Sequence, residues 1–102
     1  MSDTKMIGRP LKFRIIEILS DGIEMWNYEI VKQLMKEYNL KSNFARDNAN
    51  FDLIEVSASG FITATESEID TEGKLRVGAL LNKYKITDLG KAQYEDLLKN
   101  IR

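Results

Sequence analysis

This chain has neither histidine nor cysteine among its 102 residues, so any chemistry it performs falls to carboxylates, lysines, arginines and side-chain amides. Lacking histidine, it lacks the commonest general base and the commonest metal ligand. Lacking cysteine, it has no thiolate nucleophile and no disulfide framework, a composition that fits a cytoplasmic protein. No Ser/His/Asp set, phosphate-binding loop or metal-ligand spacing occurs. Glu66 and Glu68 fall on one face of an expected strand, but exposed carboxylate pairs on a hairpin are far more often solvated than catalytic. The sequence therefore predicts no catalytic residue, no metal site, no cofactor and no enzymatic activity.

Hydrogen bonding and charge remain. Asn43, Asn48 and Asn50 each carry an amide that can bond N6 and N7 of adenine together. Each serves equally well as a cap or a solvated polar position. Arg46 suits a guanine or a phosphate, or its acidic neighbour Asp47. Lys74 and Arg76 suit phosphates. Glu66, Glu68, Asp70 and Glu72 in the same stretch offset them, so a charge-mixed, solvated hairpin is the competing reading. Arg9, Lys12 and Arg14 form a second basic cluster, which is either a flank for a phosphate backbone or a solvated face. The net charge of −1, from 15 basic and 16 acidic residues, lacks the basic excess of a strong non-specific nucleic-acid binder.

The elements that must position these groups follow from periodicity and caps. The chain is long enough for one domain, residues 1–102, with one core. Residues 1–8 have no periodicity and read as a loose arm. Pro10 opens a helix whose apolar face is Leu11, Ile15, Ile18 and Leu19, widened by Phe13 and Ile16, and Asp21-Gly22 ends it. Met25 and Trp26 read as core or hinge packing. Asn27 is the expected cap of a second helix, with Glu29 near its positive end. Ile30, Leu34 and Tyr38 form one stripe, with Val31 and Met35 beside it. Asn39 and Ser42 mark the next break.

A third helix within 43–59 turns Ala45, Ala49, Leu53 and Val56 to the core, with Asn43, Asp47, Asn50, Phe51 and Ile54 opposite. Phe51 and Ile54 are expected to pack beneath a hairpin, or else to form an apolar patch for a partner. Gly60 stops the helix. Residues 61–69 read as a strand, Asp70-Thr71-Glu72-Gly73 as a turn, and a returning strand ends at Lys83–Thr87. Val77–Leu81 adds a bulge or an extra contact. Thr87 or Asp88 caps a last helix over 88–101, where Leu89, Leu97, Leu98 and Ile101 are candidate dimerisation residues. No apolar run approaches the ~20 residues that span a bilayer, and no signal-peptide pattern occurs, so no membrane partner is expected. Helices, one hairpin and a further helix make an α+β, mainly α architecture with the layout of a winged helix-turn-helix: three helices, a two-stranded wing and a C-terminal helix.

Two stretches sharpen that reading. Ile16-Glu17-Ile18-Leu19-Ser20-Asp21-Gly22 with Tyr28-Glu29-Ile30-Val31-Lys32-Gln33-Leu34, and Gly60-Phe61-Ile62 with Tyr84-Lys85-Ile86-Thr87-Asp88-Leu89-Gly90, resemble the PadR-like winged-helix transcription regulators over most of residues 11–98. The resemblance implies a DNA-binding regulator that occupies an operator in double-stranded DNA as a homodimer, with the third helix in the major groove and the wing against the backbone. By it, Asn43, Arg46, Asn50, Lys74 and Arg76 are candidate DNA contacts, and the C-terminal helix a dimerisation element. Two-fold symmetry would place the two third helices about 34 Å apart. Where the family usually carries a Tyr-Pro pair, this chain reads Asn48-Ala49-Asn50-Phe51. The alternative is a winged-helix module for protein–protein interaction that does not bind DNA.

Overall fold

The structure, a computed structural model, describes residues 10–100. The expected arm at 1–8, the cation Arg9 and the candidate Ile101 lie outside the described residues. Four helices and a three-stranded antiparallel sheet follow one another as α1 (Leu11–Ile18), β1 (Met25–Trp26), α2 (Asn27–Glu37), α3 (Asn43–Ala58), β2 (Ile62–Ile69), β3 (Leu80–Ile86) and α4 (Asp88–Asn100). The sheet order is β1-β3-β2. The fold is α+β and mainly helical, and no helix among the described residues is long and apolar enough to cross a membrane.

Local chemistry accounts for the helix ends. Pro10 sits immediately before α1 with φ −58°, where its missing N–H costs nothing. Gly22 closes the following turn at φ 91°. The α2 helix ends at Asn39, the one non-glycine residue with positive φ among those described, at 56°; asparagine tolerates that region better than most side chains. Ser42 caps α3, its Oγ accepting from the Ala45 amide at 3.0 Å. The helix stops at Gly60, φ 85°.

One core joins these elements. Ile15, Ile16 and Leu19 from α1 meet Ile30, Val31 and Leu34 from α2, Ala49, Leu53 and Val56 from α3, and Ile62, Leu81, Tyr84 and Ile86 from the sheet. Burying each large aliphatic side chain contributes about 1.5–3 kcal/mol. Cross-links hold the helices in register. Arg14 Nε and Nη2 donate to the two carboxylate oxygens of Glu37 at 2.8 and 2.7 Å. Its Nη1 donates to Glu17 at 3.0 Å. The Arg14 bond holds the Glu37 carboxyl below its ordinary range. Arg14→Met is expected to destabilise the protein by about 1–2 kcal/mol in urea denaturation, since a two-pronged pair is stronger than a surface ion pair but partly screened here. An unchanged midpoint would mean that the pair contributes nothing.

Three details depart from the sequence reading. Met25 and Trp26 pack on the core, but they also form a third strand, with Met25 opposite Tyr84 and Trp26 opposite Lys83; two residues are too few for an alternating pattern to show. The bulge lies in β2, between Ala64 and Glu66. Val77, Gly78 and Ala79 instead belong to the hairpin loop, and Leu80 and Leu81 already belong to β3, which begins earlier than expected. Asn27 opens α2, but its side chain turns inward and is 2% exposed. Glu29 takes over at the terminus, its Oε1 accepting from the Trp26 amide at 3.0 Å.

Candidate functional site

The hairpin loop, residues 70–79, is organised by one carboxylate. Asp70 is 1% exposed. Its Oδ1 accepts from the amides of Glu72, Gly73 and Lys74 at 3.2, 2.8 and 3.0 Å. Its Oδ2 accepts from Leu75 and Arg76, both at 2.8 Å. Burial pushes this carboxyl up, but the bonds from the Leu75, Lys74, Arg76 and Gly73 amides outweigh it and hold the group well below the ordinary carboxylate range. The loop is therefore shaped around an internal anion. Asp70 was expected to face solvent and weaken the attraction of Lys74 and Arg76 for phosphate; its charge is instead spent inside the loop. The loop then folds back so that Leu75 and Ala79 are buried.

Between α3 and the hairpin lies a cleft of about 400 Å³ lined by Asn27, Asn50, Ile54, Ser57, Arg76, Ala79, Leu80, Asn82 and Tyr84. Asn27 forms its floor. Its Nδ2 donates to Asn50 Oδ1 at 3.2 Å and to the Leu80 carbonyl at 3.3 Å. Its Oδ1 accepts from the Tyr28 and Asn82 amides. Asn82 Oδ1 accepts from Ser67 Oγ at 2.5 Å. Burial pushes the Tyr84 phenol up, against hydrogen bonds to Asn82 and Ser57 that pull the other way.

The five polar candidates separate into groups. Asn50 and Arg76 meet at the cleft. Arg46 and Lys74 meet elsewhere, around a shallow hollow of about 470 Å³ floored by Tyr28, Val31, Met35 and Leu75 and joined by Lys32. Arg46 is engaged there, donating to Asp47 at 3.0 Å and to the Leu75 carbonyl at 3.4 Å. Lys74 lies 3.9 Å from Glu72, with its Nζ 5.5 Å above the Tyr28 ring. Asn43 is exposed at the first turn of α3, and Asn48 is exposed further along it. Arg76 makes no ion pair among the described residues.

The two cations of the basic cluster that lie within α1 are also committed: Lys12 pairs with Glu55 at 2.6 Å and Arg14 with Glu37. Phe51 does not pack beneath the hairpin: it is 55% exposed, and Phe44 is 75% exposed. Ile54 lies between them and the hairpin, lining the cleft beside Arg76, Ala79 and Leu80 while still 49% exposed. Of the dimerisation candidates, Leu97 packs against the core, while Leu89 and Leu98 are exposed. Nine residues apart, those two lie on opposite flanks of α4, about 180° around the helix. A groove of about 260 Å³ beside α4 is lined in part by Phe13, Ile16, Val56, Phe61 and Leu97.

Sequence reasoning missed Asn27, Ser57 and Asn82 as parts of the cleft. They lie in three different elements, and nothing local marks them as neighbours. Among the described residues no group of three or more His, Cys, Asp or Glu could hold a metal ion. No protein-family model matches the chain, and no curated protein or solved structure matches it.

Proposed function

We propose that the chain is a winged-helix regulator that binds double-stranded DNA as a homodimer, with α3 as the groove helix and the β2–β3 hairpin as the wing. The carrying observation is the placement of Arg76. Its main chain is anchored by Asp70 at 2.8 Å, and its guanidinium, at the edge of the cleft that α3 shares with the hairpin, has no partner among the described residues. A cation held beside an exposed helix face is what phosphate contacts require. The element order and the PadR-like stretches support the same reading. Asn43 adds an exposed amide at the start of α3. Arg46 and Lys74 act as backbone-facing charges beside Lys32, and Asn50 contributes through the cleft. The protein is not an enzyme on this reading.

In DNA-binding titrations, Arg76→Glu is expected to weaken affinity about tenfold or more, since it removes one phosphate contact and adds a repulsion. Unchanged affinity would remove the hairpin from the interface. The dimer would use α4 and the apolar groove beside it. Light scattering should give twice the monomer mass for the full chain and the monomer mass for Leu97→Glu. A monomer mass for the full chain would refute the dimer.

One observation favours a second reading. The outward face of α3 presents Phe44, Phe51 and Ile54, an apolar row suited to a protein surface rather than to a groove. On that reading the fold is kept, and α3 docks a protein partner without DNA.

A further inference from the structure

The cleft between α3 and the hairpin is built differently from a solvated notch. Arg76 is the single cation among its lining residues, and no carboxylate lines it. The guanidinium has no partner among the described residues, yet its backbone is tied down through Asp70. Asn50 also borders the cleft. Its Oδ1 is taken by Asn27 Nδ2 at 3.2 Å, which fixes the amide and leaves its Nδ2 without a partner among the described residues. Ile54 and Leu80 are half exposed, at 49% and 53%, and are the large apolar side chains among the cleft's aliphatic lining. The volume of about 400 Å³ lies within the range of small-molecule sites.

We infer that this cleft binds a small organic anion, with its carboxylate or phosphate held by Arg76 and the Asn50 amide and its apolar body seated between Ile54 and Leu80. A guanidinium forks onto an oxyanion with two parallel donors, and no acid in the cleft competes for it. The Asn27–Asn50 bond presents the Asn50 NH₂ group, a donor, rather than its oxygen, which would repel an anion. The walls contribute by taking apolar surface out of water. The inference stands on the cleft alone and does not depend on DNA binding.

The test is an NMR titration of the full chain with n-butyl phosphate, pentanoate, inorganic phosphate and n-butanol. Saturable shifts at the Asn50 side chain and the Arg76 amide are expected with n-butyl phosphate or pentanoate, and which of the two binds tighter identifies the head group. Inorganic phosphate should bind about tenfold more weakly or worse, because it forgoes the apolar contact, and n-butanol should not bind. Arg76→Gln and Asn50→Asp should each weaken binding about tenfold or more, with backbone spectra that stay native. Lys91→Gln, on α4, should change nothing. The proposal is overturned by the absence of saturable shifts with both organic anions, by equal binding of inorganic phosphate, or by native affinity in Arg76→Gln. DNA affinity is measured separately, so its absence would count against the regulator reading and leave this one standing.

Discussion

Gly90→Ala is expected to destabilise the protein by about 3 kcal/mol or more, although alanine is the better helix former by about 1 kcal/mol at an ordinary helical site. The reason is the approach of α4 to the end of α3. Thr87 starts the helix, its Oγ accepting from the Gly90 amide at 3.0 Å. The same hydroxyl donates into the Gly60 and Phe61 carbonyls, at 2.6 and 3.1 Å. The Thr87 amide also donates to the Phe61 carbonyl, at 3.0 Å. These bonds draw the first turn of α4 onto residues 60–61. A Cβ at Gly90 would lie on the Phe61 carbonyl oxygen, far inside van der Waals contact, and 2.8 Å from Ile86 Cγ1. Backbone oxygen cannot rotate away as a flexible side chain would, so α4 must lift. Overpacking of this kind costs about 1–3 kcal/mol, and each broken hydrogen bond adds about 1 kcal/mol. Urea denaturation reads the effect. A midpoint at or above that of the native protein would show that α4 is not seated this closely. Gly60→Ala offers a contrast, because its Cβ meets only Leu89 Cδ2, at 3.5 Å. Its cost comes from the positive φ alone, about 1–2 kcal/mol.

Asp70→Asn should release the hairpin loop while leaving the helical core folded. The native carboxylate accepts from five successive backbone amides, Glu72 to Arg76. An asparagine keeps one acceptor oxygen and turns a donor NH₂ group toward amides that themselves donate. Exchange of the Gly73 to Arg76 amides should accelerate by about tenfold or more, with Leu75 and Ala79 losing their seats. Native exchange rates in this variant would show that the loop is shaped by something else. The pH dependence carries the same signature. Because the folded carboxyl titrates well below its unfolded value near 3.8, its contribution is complete above that value and drains away as the pH falls beneath it. Glu37, lowered by Arg14, acts in the same direction. Acid unfolding of Asp70→Asn should therefore be shallower than that of the native protein.

These results separate what was legible in the sequence from what was not. Helix ends were legible wherever the chemistry is local: Asn39 and Ser42 mark the break before α3, Gly60 stops it, and Thr87, one of two expected caps, starts α4. The core faces of α1, α2 and α3 were legible through their spacing. Long-range pairing was not. Lys12 and Arg14 looked like a free basic cluster because Glu55 and Glu37 lie on other helices. Asn27 looked like a cap because its partners, Asn50 and the backbone at Leu80 and Asn82, come from α3 and β3. Asp70 was read correctly as a turn residue but wrongly as a surface charge, since composition does not reveal which way a carboxylate points. The exposed row of Phe44, Phe51 and Ile54 carries the same lesson: helical spacing placed Phe51 and Ile54 opposite the core, but only the path of the hairpin leaves Phe51 open and Ile54 half exposed at the cleft.

That row and the exposed Arg76 pull the functional reading in opposite directions, and salt resolves them. Binding of the native protein to mixed duplex DNA fragments at low and at physiological salt is the most direct measurement. A DNA-binding regulator loses affinity steeply as salt rises, because each neutralised phosphate releases a counterion, and it enriches a palindromic site from the mixture. No binding even at low salt would contradict the regulator and leave α3 as a surface for protein.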